Sequence, residues 1–332
     1  MTKKTGLVIS GGGSRGAYAA GAIKFMVNEL NMKFDLVAGT STGALIAPMM
    51  VFDDLEPYVK RLEETYTTVR RKDIVRPRFP LAIPFRNSIL KTWPLKRLVR
   101  RSVSEEECDI ILNSDKELFL TTVGLKSGKT TYFTNQDNVS VPKGKLMEVM
   151  KHRKDLMKAM VASSNVPIIT SPIRIKKDQY IDGGMRDAAP LNVAIKNGVT
   201  DLVAILLFPA KVPVRKNYFN RIPEITLRTS EMIFNEIIQG DLNRAKSVND
   251  TLHYLKTVKS NVMAETGLDQ AQVDKLFSTT NNPFTRKRPL KVTIIRPDGP
   301  LPGGNDSLSF DPKDLRDMFN MGFKEAKKTF GG

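Results

Sequence analysis

The sequence predicts an α/β protein, a three-layer α/β/α fold in which a mainly parallel central sheet is covered by helices, in a single domain. Residues 6–30 and residues 34–52 each show a short apolar strand, a glycine turn and an apolar helix. This repeated order favours right-handed βαβ connections and a parallel sheet buried on both faces. With 332 residues, of which 41% are hydrophobic, the chain is long enough to bury one large core.

The first two predicted strands end in glycine turns. Residues 6–10 (GLVIS) and residues 34–38 (FDLVA) are short and apolar and contain β-branched residues, which is typical of buried strands. A helix is predicted after each of them, over residues 15–30 and over residues 44–52. Because the carboxyl ends of parallel strands meet at one edge of a sheet, we expect both glycine turns on the edge that carries the chemistry of such folds.

The later elements follow from the same patterns. Residues 117–134 contain two strand-like runs around a glycine turn and predict a hairpin. The other predicted elements, in chain order, are a helix over residues 146–164, a short strand ending at Asp182, a buried strand over residues 203–208, a mostly helical stretch over residues 211–282, a strand over residues 292–295, and a last helix from Pro312 to about residue 329, capped by Asp311.

The charge of the chain favours anionic partners. It carries 52 Lys and Arg against 35 Asp and Glu, a formal charge of +17. Residues 70–101 hold eleven of these cations with Asp73 as the only acid, interleaved with apolar residues and with four prolines that prevent a long helix. This window is either a lid or patch for peripheral contact with an anionic membrane, or a solvated basic face, and both interpretations stay open. No nucleic-acid partner is expected, because no motif of such proteins is present.

Few features point to export, disulfides or metal. The apolar stretch near the N-terminus is broken at Gly11 and is too short for a signal sequence or a membrane span. Cys108 is the only cysteine, so the chain can form neither an internal disulfide nor a cysteine-based metal site. The chain therefore suits a reducing compartment, and we expect a cytoplasmic protein.

A serine stands in a G-x-S-x-G motif between a predicted strand and a predicted helix. Its residues are Gly39, Thr40, Ser41, Thr42 and Gly43. The glycines let the chain turn sharply, so that the serine Oγ projects from the bend, and the following helix points its unpaired N–H groups toward it. The motif indicates a nucleophile, although an ordinary turn between strand and helix can have the same composition.

A second glycine-rich turn follows the first strand. Gly11, Gly12 and Gly13 offer backbone amides to an anion, and Arg15 adds a positive charge nearby. A phosphate site fits poorly, because no Gly-Lys-Ser/Thr follows and the glycine spacing matches a dinucleotide fingerprint only loosely. An oxyanion hole fits better, since consecutive glycines let bare amides approach a tetrahedral intermediate.

A nucleophilic serine needs a base, and the chain has only two histidines, His152 and His253. Neither lies in a catalytic motif, and we expect both on the surface. Asp182, by contrast, follows a strand-like run and precedes Gly183 and Gly184, as expected of an acid held at a strand end. A common Asp-Gly turn would have the same sequence, so both interpretations stay open at this point.

The three motifs, in this order, resemble the patatin-like phospholipase family. They are the Gly-Gly-Gly-x-Arg-Gly loop, the G-x-S-x-G turn and the Asp-Gly-Gly turn. Segments on either side of the aspartate are also similar to the family, namely Ala162-Ser163-Ser164, Val166-Pro167 and Pro190-Leu191. The likeness covers residues 6–210 as a catalytic core; residues 211–332 are expected to complete the same domain, mostly as helix, with a late strand near residues 291–296.

The resemblance implies a bacterial-type serine acyl hydrolase that cleaves carboxylic ester bonds of lipids such as phospholipids. In such an enzyme Ser41 is the nucleophile, Asp182 is its base in a Ser–Asp dyad, and the loop from Gly11 to Gly13 with Arg15 forms the oxyanion hole. No metal or organic cofactor is implied. The alternative is a non-catalytic α/β protein that binds anionic lipids or nucleotides through the glycine loop.

Overall fold

The computed structural model describes residues 3–79, 81, 85–214, 218–278, 284, 288–303 and 308–331. The strands in this part of the chain are β1 (Thr5–Ile9), β2 (Leu36–Thr40), β3 (Arg76–Pro77), β4 (Leu90–Lys91), β5 (Glu117–Gly124), β6 (Thr130–Thr134), β7 (Leu146–Val149), β8 (Ile173–Ile175), β9 (Asp178–Asp182), β10 (Asp201–Ile205) and β11 (Lys291–Ile295). The helices are α1 (Gly16–Asn28), α2 (Thr42–Ile46), α3 (Glu56–Thr68), α4 (Arg71–Ile74), α5 (Trp93–Ser102), α6 (Glu105–Asn113), α7 (Arg153–Ser163), α8 (Leu191–Lys196), α9 (Ile222–Thr266), α10 (Gln270–Phe277) and α11 (Pro312–Gly331).

Nine of the described strands form one sheet. Its order is β11-β10-β1-β2-β5-β6-β7, and β9 joins it beside β5, with β8 beside β9. The five strands from β11 to β5 are parallel to one another, whereas β6 is antiparallel to β5. The predicted α/β class with a mainly parallel central sheet is confirmed, and so is the hairpin of β5 and β6.

Side chains from the two faces of β1 belong to two different cores. Leu7 and Ile9 pack on one face with residues of α1, α3 and α11, and Val8 packs on the other face with residues of α8 and α9. Every residue of β2 is buried, as expected for a central strand of a sheet that is covered on both sides. Helices on both faces give the three layers that the sequence predicts.

One edge of β5 is shared by two strands that meet end to end. β2 pairs with β5 from Glu117 to Thr121, and β9 pairs with it from Thr122 to Gly124. The opposite edge of β5 is occupied by β6. Because β9 is antiparallel to β5, it enters from the far end of this edge and stops where β2 stops. The chain segments that follow β2 and β9 therefore face each other.

The predicted helix over residues 146–164 is wrong in its first part. Leu146–Val149 is strand β7, which pairs with β6, and α7 begins at Arg153 after His152 at the N-cap. Pairing with an open sheet edge can outweigh the local helix propensity of so short a segment. The predicted helix over residues 44–52 is also shorter, because α2 ends at Ile46 and a 3-10 turn follows.

Helices α1 and α11 cross at two glycines. A Cβ added at Gly322 would lie 1.9 Å from the Tyr18 carbonyl oxygen, and one added at Gly21 would lie 1.9 Å from the Phe319 carbonyl oxygen. The two backbones are therefore in direct contact, with no side chain between them. This contact fixes the C-terminal helix against the helix that follows the glycine-rich loop.

We expect Gly322→Ala to lower the free energy of unfolding by about 1–3 kcal/mol, because the two helices must move apart to admit a methyl group. Gly240→Ala is the matched control. Gly240 lies within α9 with no atom within 4 Å of its would-be Cβ, so alanine there should raise stability by about 0.5–1 kcal/mol. Urea unfolding followed by circular dichroism measures both changes, and equal effects would contradict the close contact.

Candidate active site

Ser41 lies in the turn between β2 and α2, in a conformation that L-residues rarely adopt. Its φ is 56° and its ψ is −121°, which costs of the order of 1–3 kcal/mol and persists only where the surrounding structure enforces it. The turn has no room for side chains at its flanks. A Cβ at Gly39 would lie 2.2 Å from the Gly43 carbonyl oxygen, and one at Gly43 would lie 2.2 Å from the Ile9 carbonyl oxygen. Both glycines of the motif are therefore required by backbone contact.

Asp182 ends β9 and is completely buried beside Ser41. Its Oδ1 accepts a hydrogen bond of 2.8 Å from the Gly184 N–H, and its own N–H donates to the Asn165 carbonyl oxygen. Its Oδ2 has no hydrogen bond of regular geometry among the described residues, although the Ser41 hydroxyl is near enough to lower the carboxyl pKa. Such imperfect alignment is common between a nucleophile and its base before substrate binds.

Burial dominates the ionisation of Asp182. Desolvation raises its pKa to about 7, against the lowering effects of the nearby Ser41 hydroxyl and of the hydrogen bond from Gly184. A carboxylic acid normally has a pKa near 4 and is a weak base. With the raised pKa, Asp182 has the proton affinity of a typical general base and still ionises near neutral pH.

Two serines at the end of α7 form hydrogen bonds with the backbone of Ser41. The Ser41 N–H donates to Ser163 Oγ at 2.9 Å, and Ser163 Oγ donates in turn to the Thr121 carbonyl oxygen at 2.6 Å. Ser164 Oγ donates to the Ser41 carbonyl oxygen. Ser163 therefore ties the strained turn to β5. The sequence offered these serines only as part of the family likeness and gave no physical role for them.

The amides of the glycine-rich loop are used in different ways. The Gly11 N–H donates to the Ala188 carbonyl oxygen at 3.0 Å, so it is not open to a ligand. Gly12 and Gly13 line the pocket beside Ser41, and in the described part of the chain no acceptor is bonded to either N–H. The loop thus presents two amides, rather than three, to the space in front of the serine.

Arg15 is buried next to this loop and is paired with an acid from a distant helix. Its Nη2 lies 3.1 Å from a carboxylate oxygen of Glu231 on α9, and its guanidinium stacks 4.5 Å from the centre of the Phe208 ring. Arg228 lies 2.9 Å from the other oxygen of Glu231. Two guanidinium groups thus share one carboxylate, which joins the glycine-rich loop to α9.

Residues in the first half of α9 cover the glycine turns of the active site. Carbon atoms of the Phe234 ring would lie 3.5 Å from a Cβ at Gly11 and 2.4 Å from one at Gly184, so one ring packs on two of the glycine motifs. Glu231 and Phe234 are 216 and 223 residues beyond Arg15 and Gly11 in the chain. Nothing in the local sequence marks them, which is why sequence reasoning missed them.

Ser41 lines an apolar pocket. The volume of the cavity is about 110 Å³. Gly12, Gly13, Arg15 and Ser41 belong to its polar lining. The remaining walls are mostly aliphatic and come from α3, α5, α7, α9 and the segment before α11, with Leu62, Val69, Ile74, Leu95, Leu98, Val99, Met160, Val166, Leu227 and Phe310 among them.

The sequence profile described as patatin-like phospholipase matches residues 7–195, more than half of the chain. The chain belongs to the patatin-like phospholipase family. The matched residues include all three glycine motifs, Ser41 and Asp182. They end before α9, so the residues by which Glu231 and Phe234 complete the site lie outside the matched part.

Individual relatives are distant. The Uncharacterized protein YjjU of Escherichia coli K12 is 28% identical over 219 residues, which are 65% of this chain and 55% of that protein. The Probable lipid hydrolase 463L of Invertebrate iridescent virus 6 is 25% identical over 202 residues, 57% of this chain and 63% of that protein. The chain thus spans less than two thirds of the length of either relative. The crystal structure of VipD from Legionella pneumophila aligns with 99% of this chain and 67% of its own, at 11% identity and a TM-score of 0.45.

Both histidines of this patatin-like chain are exposed, as predicted. His152 is the N-cap residue of α7, and His253 lies on α9. In residues that the structure describes, no three His, Cys, Asp or Glu side chains are grouped as metal ligands would be. Nor does any described helix combine the length and apolar content needed to span a bilayer.

We expect Ser163→Ala to lower the free energy of unfolding by about 1–3 kcal/mol, because it leaves the buried Ser41 N–H without an acceptor. Ser127→Ala is the control, since the hydroxyl of Ser127 lies in the exposed turn between β5 and β6 and its loss should cost less than about 0.5 kcal/mol. Thermal unfolding of both variants measures the difference. A Ser163→Ala protein as stable as the wild type would show that the bridge from Ser41 to β5 is not needed.

Proposed function

We propose that this chain is a lipid acyl hydrolase in which Ser41 and Asp182 form a catalytic dyad. The observation that carries the proposal is their junction: a strained serine that lines an apolar pocket lies beside a buried acid of raised pKa. A serine in a rare backbone conformation beside a general base is a costly arrangement without catalysis. Membership of the patatin-like phospholipase family supports the same conclusion.

The chemistry then runs in two halves. The Asp182 carboxylate takes the proton of Ser41 Oγ while that oxygen bonds to the ester carbonyl carbon, and the carbonyl electrons move onto oxygen. The tetrahedral intermediate collapses, the C–O bond to the alcohol breaks, and Asp182 returns the proton to the leaving alcohol. Water, deprotonated by the same carboxylate, attacks the acyl-enzyme and releases a fatty acid and free Ser41.

The N–H groups of Gly12 and Gly13 are the proposed donors to the developing oxyanion. Each such donor typically contributes about a hundred- to a thousandfold in rate. Gly11 has a different use, because its N–H is bonded to Ala188 and a Cβ there would lie 3.2 Å from the Ser41 Cβ. Arg15 holds the loop in position through Glu231.

The pocket supports a long acyl chain as the group that is held. Its aliphatic walls extend from the serine without buried charges beyond Arg15 and Glu231 in the described lining, and burying a methylene group contributes about 0.8 kcal/mol. The acyl chain would therefore lie along these aliphatic walls, with its ester carbonyl at Ser41. A substrate of this kind resides in a membrane, so we propose that the protein acts peripherally at a lipid surface.

The decisive test compares release of fatty acid from phospholipid vesicles by the wild type, Ser41→Ala and Asp182→Asn, in the presence of a metal chelator. We expect the wild type to be active and both variants to lose about 10⁴-fold or more in kcat/KM, as for other members of nucleophile–base pairs. Unchanged melting temperatures establish that the variants are folded. Activity that survives in Ser41→Ala would overturn the nucleophile and favour a non-catalytic lipid-binding protein with a contaminating hydrolase.

The histidines provide an internal control for the dyad. The double variant His152→Ala, His253→Ala removes every histidine of the chain, and both side chains are exposed, so folding should be unaffected. We expect its kcat/KM to stay within about twofold of the wild type, since surface substitutions change little. An inactive double variant would instead point to a triad that uses histidine.

The raised pKa of Asp182 predicts the pH dependence of the reaction. Because only the carboxylate can accept the proton of Ser41, kcat/KM should rise with pH and level off above an apparent pKa of about 7. At pH 6 the rate should be about a tenth of its plateau. Asp187 is also buried with a pKa of about 7, but its carboxyl is bonded to Tyr132. The rise of kcat/KM with pH should therefore persist in Asp187→Asn. If the rise is lost in that variant, the titrating group is Asp187 and not Asp182.

A further inference from the structure

One wall of the pocket continues into a surface that is both apolar and basic. We call it the hairpin face: the described residues of 70–101, together with Ile168 in the loop after α7. Its centre is the pair β3 and β4, which are antiparallel with Arg76 opposite Lys91. Helix α5 follows at one side, with Leu95 and Val99 buried against the pocket and its basic residues exposed.

The inner side of the hairpin belongs to the pocket wall. Val75 and Leu90 are buried in a small apolar core with Ile169 and with Leu227 of α9. Leu227 and its neighbour Ile74 also line the pocket. Whatever contacts the outer side of the hairpin face is therefore separated from the pocket by little more than one layer of side chains.

Hydrogen bonds attach the hairpin to the loop after α7. Ile89 N–H donates to the Ile168 carbonyl oxygen, at 2.9 Å. The Arg78 guanidinium donates to Ser88 Oγ and Ser171 Oγ, both at 3.2 Å. Arg78 is thus used inside the hairpin face, where it ties the hairpin to the loop after α7.

Large apolar side chains project from the outer side. Phe85 is 85% exposed, Leu81 is 76% exposed and Phe79 is 69% exposed, and Ile168 and Trp93 are more than half exposed. Clustered exposed groups of this size mark a contact surface more often than an ordinary protein surface. Trp93 adds an amphipathic ring of the kind enriched where apolar and aqueous phases meet.

The backbone of Ile168 is strained. Its φ of 69° lies in the left-handed region, which β-branched residues strongly avoid. Asparagine or glycine would fit this turn with less strain, and the exposed isoleucine side chain gains little from packing within the chain. An apolar side chain at this position is therefore explained by a partner outside the chain.

The cations of the hairpin face define that partner as anionic. Arg76, Arg86 and Lys91 are exposed, and no carboxylate among the described residues lies within 4.0 Å of them. Across residues 70–101 eleven cations stand against Asp73 alone. Two copies of this face would repel each other strongly, which argues against a symmetric dimer contact. Apolar groups among cations match the hydrocarbon boundary and the phosphates of an anionic bilayer.

We propose that the hairpin face docks the protein on an anionic phospholipid bilayer, with the apolar side chains at the interface and the cations against the headgroups. This places the thin wall of the pocket next to the bilayer. The proposal rests on the proposed function for the reason a lipid should be bound there. Its test is independent of catalysis, because it uses Ser41→Ala protein that cannot consume the vesicles.

The experiment measures cosedimentation of Ser41→Ala protein with vesicles of phosphatidylcholine alone and of equimolar phosphatidylcholine and phosphatidylglycerol. The test variant adds Arg76→Gln, Arg86→Gln and Lys91→Gln. Its partitioning onto the anionic vesicles should fall about a hundredfold, since each cation near such a surface contributes about fivefold. The matched control removes the same charge from α11 by Lys313→Gln, Lys324→Gln and Lys327→Gln, and should bind within about threefold of the parent.

A second variant separates docking from folding. Ile168→Asn relieves the strained backbone and should raise the melting temperature or leave it unchanged, yet it should weaken binding to the anionic vesicles. A purely structural hairpin would show the opposite pattern or no effect on binding. Equal binding to both kinds of vesicle, or equal loss in the hairpin and α11 variants, would overturn the proposal.

Two further measurements distinguish failure of the docking proposal from failure of the proposed function. If the hairpin face is covered by a second copy, sedimentation velocity will show a dimer that the hairpin variant dissociates, and the bilayer proposal is wrong. Hydrolysis of a soluble short-chain ester by protein with Ser41 intact tests the active site without any surface. Loss of vesicle binding with normal ester hydrolysis supports the docking role; vesicle binding without any hydrolysis would reject the proposed function and leave the docking surface standing.

Discussion

The junction of β2 and β9 on one edge of β5 is the constraint on which the site depends. Ser41 and Asp182 are far apart in the chain and lie at the ends of two different strands. Because both strands are registered by hydrogen bonds to the same neighbour, the residues that follow them cannot drift apart without breaking a ladder. A Cβ at Gly183 would lie 2.3 Å from the Thr121 carbonyl oxygen, so the junction is closed backbone to backbone. Ser163 bridges the same point from α7.

Close packing at this junction also sets the chemistry of Asp182. No water surrounds a side chain that is completely buried, so the ionised form loses solvation and the pKa rises to about 7. The raised pKa also makes the free energy of unfolding depend on pH. The stabilising contribution of protonated Asp182 is complete below the unfolded pKa of about 4 and is lost as pH rises through 7. At neutral pH the fold thus gives up a few kcal/mol relative to an exposed acid, on the order of 4 if ionisation is complete. The hydrogen bonds between the strands keep Asp182 buried in spite of this loss of stability.

The sequence predicted the local parts of this arrangement better than the distant ones. Short apolar runs followed by glycines gave β1, β2 and the turns, since strand ends and tight turns are determined by adjacent residues. The composition of Leu146–Val149 predicts a helix, because the pairing of this segment with β6 depends on residues outside it. Glu231 and Phe234 could not be found for the same reason: an acid and a ring on a polar helix acquire their meaning only when α9 is packed on the glycine motifs.

Helix α9 connects the glycine-rich loop with the core of the hairpin face. Phe234 and Glu231 contact the glycine-rich loop. Leu227, one turn before Glu231, lines the pocket and also packs in the core of the hairpin face. Leu227 and Phe234 lie two turns apart on this helix, and the ring of Phe234 covers Gly11 and Gly184. The pocket wall behind the hairpin face and the cover of the active site therefore belong to one element, so α9 must be packed correctly for both to form.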